Sequence, residues 1–139
     1  MKPQPSLKIL IADDSLWLQE RLWMMLFELP GTEVVGQTTT GIDTIQAVQK
    51  LQPDVVILDV RMPGGNGIQV LRTIKATACP PRVIVQTVFP TPQYQQRCLS
   101  AGADCFLDKM TALERIPQVL QHWLTCGEDQ RQDSSISLV

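Results

Sequence analysis

Short apolar runs and amphipathic segments alternate along this chain in five successive pairs. Runs rich in Val, Ile and Leu are typical of buried parallel strands, whereas apolar residues spaced three or four apart are typical of helices. The predicted strands are Leu7–Ala12, Glu33–Gly36, Val55–Leu58, Arg82–Gln86 and Ala103–Leu107. The predicted helices are Ser15–Leu29, Ile42–Leu51, Gly67–Lys75, Pro92–Ser100 and a last one containing Ile116, Val119, Leu120, Trp123 and Leu124. This alternation predicts an α/β fold with a parallel sheet, because parallel neighbours need crossover helices.

Polar side chains stand at or just after the ends of four predicted strands. Asp13 and Asp14 follow the first strand, Asp59 the third, Thr87 the fourth and Lys109 the fifth. The carboxyl ends of parallel strands meet at one edge of a sheet, which is where open α/β sheets bind ligands. We therefore expect these side chains to converge on one site.

The chemistry of that set favours a metal-assisted phosphoryl acceptor. Three neighbouring carboxylates repel one another unless a cation neutralises them, and oxygen ligands select Mg²⁺ or Mn²⁺. An oxygen of Asp59 would remain free to attack phosphorus, and carboxylates are known to form aspartyl phosphates. Lys109 and the Thr87 hydroxyl would stabilise charge on the phosphoryl oxygens.

Each of these residues also has a purely structural interpretation. Asp13 and Asp14 precede Ser15 and a helix, so they could serve only as helix caps. Thr87 could be an ordinary β-branched strand residue, Lys109 a solvated strand end and Asp59 a turn former. The coincidence of all of them at one sheet edge favours the functional interpretation.

The first strand must lie near the centre of the sheet for its Asp pair to meet Asp59. That requirement favours a doubly wound, flavodoxin-like (βα)5 sheet in the strand order 2-1-3-4-5. A chain of 139 residues suits one domain. We predict a domain over residues 1–125 and a polar, frayed tail over 126–139, with an irregular segment at Thr111 to Arg115 and Pro117 in the first turn of the last helix.

From about Leu7 to Leu124 the sequence resembles the receiver domains of response regulators, the phosphoacceptor modules of two-component signalling. The motifs that carry the resemblance are Ile11–Ser15, Pro53–Pro63, Asn66–Gly67, Thr87 and Ala101–Lys109. The resemblance implies a signalling switch whose catalysis is limited to its own phosphorylation and dephosphorylation. The phosphodonor would be the phosphohistidine of a sensor histidine kinase or of a histidine phosphotransfer protein.

The resemblance also assigns roles around the acceptor. It implies that Asp59 accepts the phosphoryl group, while Asp13, Asp14 and the backbone carbonyl of Arg61 hold Mg²⁺ together with it. Lys109 would pair with the phosphate.

The output is implied to be a change of surface. Thr87 and Phe106 would form the switch pair, the hydroxyl moving toward the phosphoryl group as the ring turns inward. The change would repack the face made by helix 4, strand 5 and helix 5, where an unknown downstream protein would bind. On that face we place Tyr94, Arg97, Cys98, Cys105, Gln118 and His122.

Two positions depart from the family pattern. The residue after the switch threonine is normally very small, and Val88 stands there instead. We expect Val88, together with Arg61, to limit access of donor or water to the site. The lysine is normally followed by a proline in a cis peptide, but Met110 follows here. A cis bond before a non-proline residue costs about 2.5–4 kcal/mol, so the Lys109–Met110 peptide is predicted to be trans.

The first helix is apolar on two sides. Its core-facing side is predicted to hold Leu18, Leu22, Met25, Leu26 and Leu29. A second stripe of Leu16, Trp23 and Phe27 lies almost opposite. A helix with two apolar sides is either buried twice or part of an interface. Trp23 and Phe27 are thus predicted in a docking or homodimer surface, with burial under the tail as the alternative.

Composition argues against several partner classes. A net charge of −2 with no basic run argues against direct binding of nucleic acid, and no apolar stretch is long enough for a membrane span. One histidine argues against zinc, and the scattered cysteines are expected to be reduced thiols: Cys79, Cys98, Cys105 and Cys126. We expect a cytoplasmic, stand-alone receiver.

Two other functions are weighed against this one. The chain could be the receiver half of a DNA-binding transcription regulator, since Val34–Gly36 and the Gly41 helix resemble such receivers, although the polar tail does not resemble a linker. It could also be an aspartate-nucleophile phosphatase. Such an enzyme needs a second Asp two residues after the nucleophile, and Arg61 stands there.

Overall fold

The computed structural model describes residues 6–62 and 66–126, in which strands and helices alternate along the chain. The strands are β1 (Leu7–Ala12), β2 (Thr32–Thr38), β3 (Val55–Asp59), β4 (Arg82–Thr87) and β5 (Cys105–Asp108). The helices are α1 (Leu16–Phe27), α2 (Gly41–Leu51), α3 (Gly67–Lys75), α4 (Pro92–Ser100) and α5 (Ala112–Cys126). The predicted alternation is confirmed.

All four strand pairings are parallel, and the strand order is β2-β1-β3-β4-β5. The predicted doubly wound, flavodoxin-like topology is therefore confirmed. Ala12 pairs with Leu58 and Asp59 pairs with Gln86, so β1, β3 and β4 end close to one another. This register brings their polar C-terminal residues to one edge.

The sheet is covered on both faces, because alternate residues of each strand point to opposite sides. Ile57 and Ile84 pack with α1 and α5 in one apolar cluster. Leu58 and Val85 pack with α2, α3 and α4 in the other. The predicted inner side of α1 is confirmed, with three residues buried and two partly buried against the same cluster: Leu18, Leu22, Leu26, Met25 and Leu29.

The last helix begins earlier than predicted. Thr111 to Arg115 is not an irregular segment, because α5 starts at Ala112 and the Arg115 amide donates to the Thr111 carbonyl at 3.1 Å. Ala112 and Ile116 are both buried one turn apart, which extends the apolar side of the helix backwards. Pro117 consequently lies inside the helix beyond its first turn, where its lack of an N–H removes one helical hydrogen bond.

Other boundaries differ by one or two residues. Ser15 is the N-cap of α1 and not its first residue, since its hydroxyl accepts from the Leu18 amide at 3.3 Å. Pairing with β1 extends β2 to Thr38. Cys126 ends α5 and does not begin the tail, and the predicted frayed tail over 127–139 lies outside the described residues. Within the described ranges, no helix combines the length and apolar character that a membrane crossing requires.

Candidate functional site

The structure brings the predicted carboxylates together at the carboxyl edge of the sheet. Asp59 is the last residue of β3, and Asp13 and Asp14 directly follow β1. One carboxylate oxygen from each lies within 4.8 Å of the other two. Asp13 and Asp59 are buried and Asp14 is exposed, so the cluster opens to solvent on one side.

Lys109 lies between the two buried carboxylates. Its Nζ is 2.9 Å from Asp13 Oδ2 and 2.9 Å from Asp59 Oδ2. Burial lowers the pKa of Lys109, but the hydrogen bonds to Asp59 and Asp13 outweigh burial and the pKa is raised. Burial raises the pKa of Asp13 more than its hydrogen bonds from Ser15 and Lys109 lower it. One ammonium group thus balances part of the negative charge of the cluster.

Local turns fix the carboxylates. The Ser15 amide donates to Asp13 Oδ1 at 2.8 Å, and the Arg61 amide donates to Asp59 Oδ1 at 2.9 Å. The Lys109 amide donates to the Thr87 carbonyl at 2.8 Å, which ties the end of β5 to the end of β4. Each side chain is therefore oriented by the backbone that follows its strand.

The donor set fits Mg²⁺. All three candidate ligands are carboxylate oxygens, which suit hard divalent cations, and the exposed side at Asp14 leaves room for water and phosphate oxygens. The positive charge of Lys109 does not cancel the three negative charges. The residues present therefore match the site that a magnesium ion requires.

The two expected switch residues are fully buried. The Thr87 hydroxyl accepts a hydrogen bond from the Phe89 amide at 3.1 Å. The Phe106 ring packs into the cluster between the sheet and helices α2 to α4, so it already points inward.

The site is bordered by exposed apolar side chains. Val88, Phe89 and Met110 are 52%, 56% and 84% exposed. The Arg61 guanidinium lies 4.5 Å from the centre of the Phe89 ring, a cation–π contact between the loops after β3 and β4. No cis peptide occurs among the residues that the structure describes, so the predicted trans bond between Lys109 and Met110 is confirmed.

Two buried glutamines lie beside Asp13, and sequence reasoning missed both. Gln86 Nε2 donates to Asp13 Oδ2 at 3.0 Å. Gln19 Nε2 donates to the backbone carbonyls of Asp13 and Thr38, both at 2.6 Å. The sequence does contain a signal for each of them. Gln86 is an amide residue within an apolar strand, and Gln19 is an amide residue on the inner side of the first helix.

Gly67 marks a close approach between α3 and the chain after β3. A Cβ placed there would overlap the carbonyl oxygen of Val60. We expect Gly67→Ala to lower the free energy of unfolding by about 3 kcal/mol, at the upper end of typical overpacking costs, because a backbone atom must move. At Gly36 an added Cβ meets only side-chain atoms, of Leu51 at 2.9 Å and of Leu10 at 3.2 Å. Urea unfolding of Gly67→Ala and the matched Gly36→Ala should show a clearly larger loss at Gly67; equal losses would contradict the packing argument.

The prediction of which residues form the output face is wrong for two of the six residues. Cys98 and Cys105 are buried and cannot contribute surface. Cys98 lies on the side of α4 that faces the sheet, where burial raises the pKa of its thiol to about 11. Cys105 points into the cluster of α1 and α5. The exposed or partly exposed members of the face are Tyr94, Arg97, Gln118 and His122.

Comparisons with known proteins agree with this geometry. A family model described as the response regulator receiver domain matches residues 9–121. The transcriptional regulatory protein DesR of Bacillus subtilis is 36% identical over 115 residues, covering 83% of this chain and 57% of that protein. The response regulator GacA of Pseudomonas aeruginosa is 32% identical over 115 residues, covering 83% of this chain and 54% of that protein. The chain thus spans about half the length of these curated relatives.

Solved structures give the same result. The signal receiver domain of the response regulator NarL from Mycobacterium tuberculosis has a TM-score of 0.80 at 26% identity, covering 87% of this chain and 98% of that one. The response regulator domain of Thermotoga maritima CheB has a TM-score of 0.75 at 26% identity, covering 87% of this chain and 95% of that one. Sequence and structure together show that the chain belongs to the response regulator receiver domain family.

Proposed function

We propose that this receiver domain is a phosphorylation switch in which Asp59 accepts a phosphoryl group from the phosphohistidine of a histidine kinase or histidine phosphotransfer protein. The observation that supports this most directly is the cluster of Asp13, Asp14 and Asp59, with ligand oxygens within 4.8 Å of one another. Lys109 bridges two of these carboxylates. Its ammonium group now pairs with the carboxylates, and it could pair with the phosphoryl oxygens once Asp59 is phosphorylated.

The cluster would bind Mg²⁺, or Mn²⁺ in its place, through Asp13, Asp14, Asp59 and the Arg61 carbonyl. When bound, the ion supplies positive charge that neutralises the carboxylates and the phosphoryl oxygens. Asp59 keeps one oxygen as nucleophile. The Thr87 hydroxyl and Lys109 would contact the phosphoryl oxygens.

The transfer is a displacement at phosphorus. An Asp59 oxygen bonds to phosphorus as the phosphorus–nitrogen bond of the donor breaks. The electron pair stays on that nitrogen, and because the other ring nitrogen carries a proton, the donor leaves as neutral histidine. In hydrolysis, water attacks the same phosphorus and Asp59 leaves as a carboxylate with release of inorganic phosphate. Both reactions act on the protein itself, so the domain is proposed as a switch and not as an enzyme acting on other substrates.

A small phosphodonor tests this proposal without knowledge of the kinase. The protein is incubated with an acyl phosphate, with Mg²⁺ or with a chelator, and its intact mass is measured. We expect a phosphate-sized increase that requires the ion. No increase under any condition would defeat the proposal.

Val88 is proposed to limit access to Asp59, since it is half exposed beside Thr87. We expect Val88→Ala to accelerate phosphorylation by an acyl phosphate, hydrolysis, or both by up to about tenfold, which corresponds to about 1.4 kcal/mol of barrier. Time courses of intact mass measure both reactions. Met24→Ala, which truncates an exposed apolar side chain on α1, is the matched control. Rates equal to those of the parent would disprove the steric role.

Phosphorylation is proposed to reach partners through Thr87 and Phe106. Thr87 is the last residue of β4, and Phe106 lies in β5 and packs in the same apolar cluster as the α4 residues Tyr94 and Cys98. A change at Thr87 would alter the packing of the Phe106 ring and so the partly exposed Tyr94. The downstream partner is proposed to be a protein.

A second candidate function is the receiver half of a DNA-binding regulator. DesR is named a transcriptional regulatory protein and this chain covers 57% of its length. A DNA-binding response regulator of the LuxR family from Staphylococcus aureus has a TM-score of 0.78 at 25% identity, covering 85% of this chain and 98% of that one. The expectation of a stand-alone receiver without direct nucleic-acid binding stays a prediction. The length of the native reading frame in the encoding DNA distinguishes the two functions.

The outer side of α1 is proposed as a docking or homodimer surface. Trp23 and Phe27 stack with ring centres 5.3 Å apart and are 42% and 75% exposed. Leu16, on the same predicted stripe, is also exposed. Trp17 is a further exposed aromatic residue of α1, and the Arg21 guanidinium lies 5.3 Å from the centre of its ring. The alternative cover, the segment 127–139, lies outside the described residues.

The double variant Trp23→Ala/Phe27→Ala tests that surface. Aromatic anchors of an interface each cost about 2 kcal/mol or more when truncated, so we expect weaker self-association or slower transfer from a kinase. Sedimentation and a phosphotransfer assay measure the two outcomes, with Ile42→Ala as an exposed apolar control outside α1. No change in either would refute the proposal.

A further inference from the structure

Gln86 is a buried amide beside the carboxylate cluster. It is the penultimate residue of β4 and is fully buried, two residues after Ile84 and therefore on the same face of the strand. Its Nε2 donates to Asp13 Oδ2, the oxygen that also lies 2.9 Å from Lys109. Because an ionised carboxylate can only accept hydrogen bonds, the amide must present its nitrogen to Asp13.

The other half of the amide has no partner. Among the residues that the structure describes, Gln86 Oε1 is the buried side-chain atom that accepts no hydrogen bond. A buried acceptor without a donor destabilises the fold, and an aliphatic residue would fill the same position without that loss. The two amide atoms share one carbon, so this oxygen lies one amide width from the Asp13 contact. A donor is thus required immediately beside the proposed metal site.

Water bound to a magnesium ion is a donor of the required kind. Mg²⁺ keeps several waters when carboxylates bind it, and their hydrogens point outward toward acceptors. Groups behind the ligands of a metal typically orient those ligands and change its affinity. The carboxylate that Gln86 contacts, Asp13, is one of the three candidate ligands.

We propose that Gln86 is a positioning residue of the metal site, which rests on the proposed function of the carboxylate cluster. Its N–H holds the Asp13 carboxylate, and its carbonyl oxygen accepts a hydrogen bond from water that accompanies the bound ion. Among the described residues no protein group donates to that oxygen, so the water of a bound ion would supply its hydrogen bond. Gln86 therefore favours the metal-bound state over the metal-free state.

Gln19 provides the comparison. It is also a buried glutamine beside Asp13, but its amide nitrogen joins the backbone carbonyls of Asp13 and Thr38 and does not contact the Asp13 carboxylate. Gln19 therefore joins the backbone that follows β1 to the end of β2. Loss of Gln19 should lower stability, whereas loss of Gln86 should lower metal affinity.

The experiment measures Mg²⁺ affinity by calorimetric titration without any phosphodonor, and the urea midpoint without metal. The parent is compared with Gln86→Leu, with Gln86→Met as a more adaptable apolar variant, and with Gln19→Leu. We expect the Gln86 variants to bind Mg²⁺ at least about tenfold more weakly. Their metal-free midpoint should stay close to that of the parent, because loss of the Nε2 bond to Asp13 offsets removal of the unpartnered oxygen. Gln19→Leu should lower the midpoint and leave the affinity nearly unchanged.

Unchanged Mg²⁺ affinity in the Gln86 variants, with or without a lower midpoint, would overturn this role. An equal loss of affinity in Gln19→Leu would also overturn it, since any buried amide would then have the same effect. If the parent itself binds no Mg²⁺ and takes up no phosphate, the proposed function fails and this role with it. If the parent does both and the Gln86 variants match it, the role of Gln86 alone fails.

Discussion

Asp59→Asn is expected to take up no phosphate from an acyl phosphate in the presence of Mg²⁺. The asparagine amide has nearly the shape of the carboxylate, and its oxygen can still accept the hydrogen bond from the Arg61 amide. It offers no anionic oxygen as nucleophile and one negative charge less as a metal ligand. Intact mass measures the outcome directly, and the expected difference from the parent is complete loss of the adduct.

Asp54→Asn is the matched control. Asp54 immediately precedes β3, and its carboxylate accepts from the Lys8 amide at 2.8 Å at the opposite edge of the sheet. This variant should be phosphorylated like the parent. A phosphate adduct that persists in Asp59→Asn would show that another residue is the acceptor.

Lys109→Met is expected to slow phosphorylation by a factor on the order of 10²–10³, the usual effect of removing a group that stabilises charge in a transition state. Methionine keeps most of the length and apolar stem of the lysine and removes the ammonium group that lies 2.9 Å from both Asp13 and Asp59. The rate of mass increase with an acyl phosphate measures the effect. A variant that matches the parent would exclude a role for the ammonium group.

The same variant has a defined pH signature in stability. The pKa of Lys109 is raised in the folded protein above its ordinary value of 10.5, because its contacts with the carboxylates outweigh burial. The stabilisation that the Lys109 charge gives the folded protein is thus fully present below the pKa of lysine in the unfolded chain. It is lost as the pH rises through the pKa of Lys109 in the folded protein. The difference in unfolding free energy between parent and Lys109→Met should shrink above that pH. Lys75→Met, which removes the ion pair with Asp104 at the other sheet edge, should lower stability without slowing phosphorylation.

The strand order could be predicted because the candidate site residues had to meet at one edge of the sheet. The apolar runs identified the strands, and the need for Asp13 to meet Asp59 placed β1 between β2 and β3. The polar strand ends then identified the carboxylate cluster and Lys109 together. These inferences use only strand direction and side-chain charge, both of which can be read along a sequence.

Features that depend on neighbouring elements could not be predicted in this way. The polar residues Thr111, Glu114 and Arg115 concealed the start of α5, which is set by burial of Ala112. The surface position predicted for Cys98 is wrong, because the side of α4 that faces the sheet cannot be read from its composition. Gln86 resembled a minor interruption of an apolar strand, since its partner, Asp13, is 73 residues away in the chain.

The hydrogen bond between the Lys109 amide and the Thr87 carbonyl makes the site a reporter of correct strand pairing. β5 has only four residues and lies at the edge of the sheet. A slip of one residue would turn Phe106 to the opposite face and withdraw the ammonium group from both carboxylates. A chain with native-like helix content but a misaligned edge strand would therefore lose the part of the proposed phosphorylation rate that depends on the Lys109 ammonium group. The rate of phosphorylation by an acyl phosphate can thus serve as a quality test that distinguishes correctly folded preparations from compact misfolded ones.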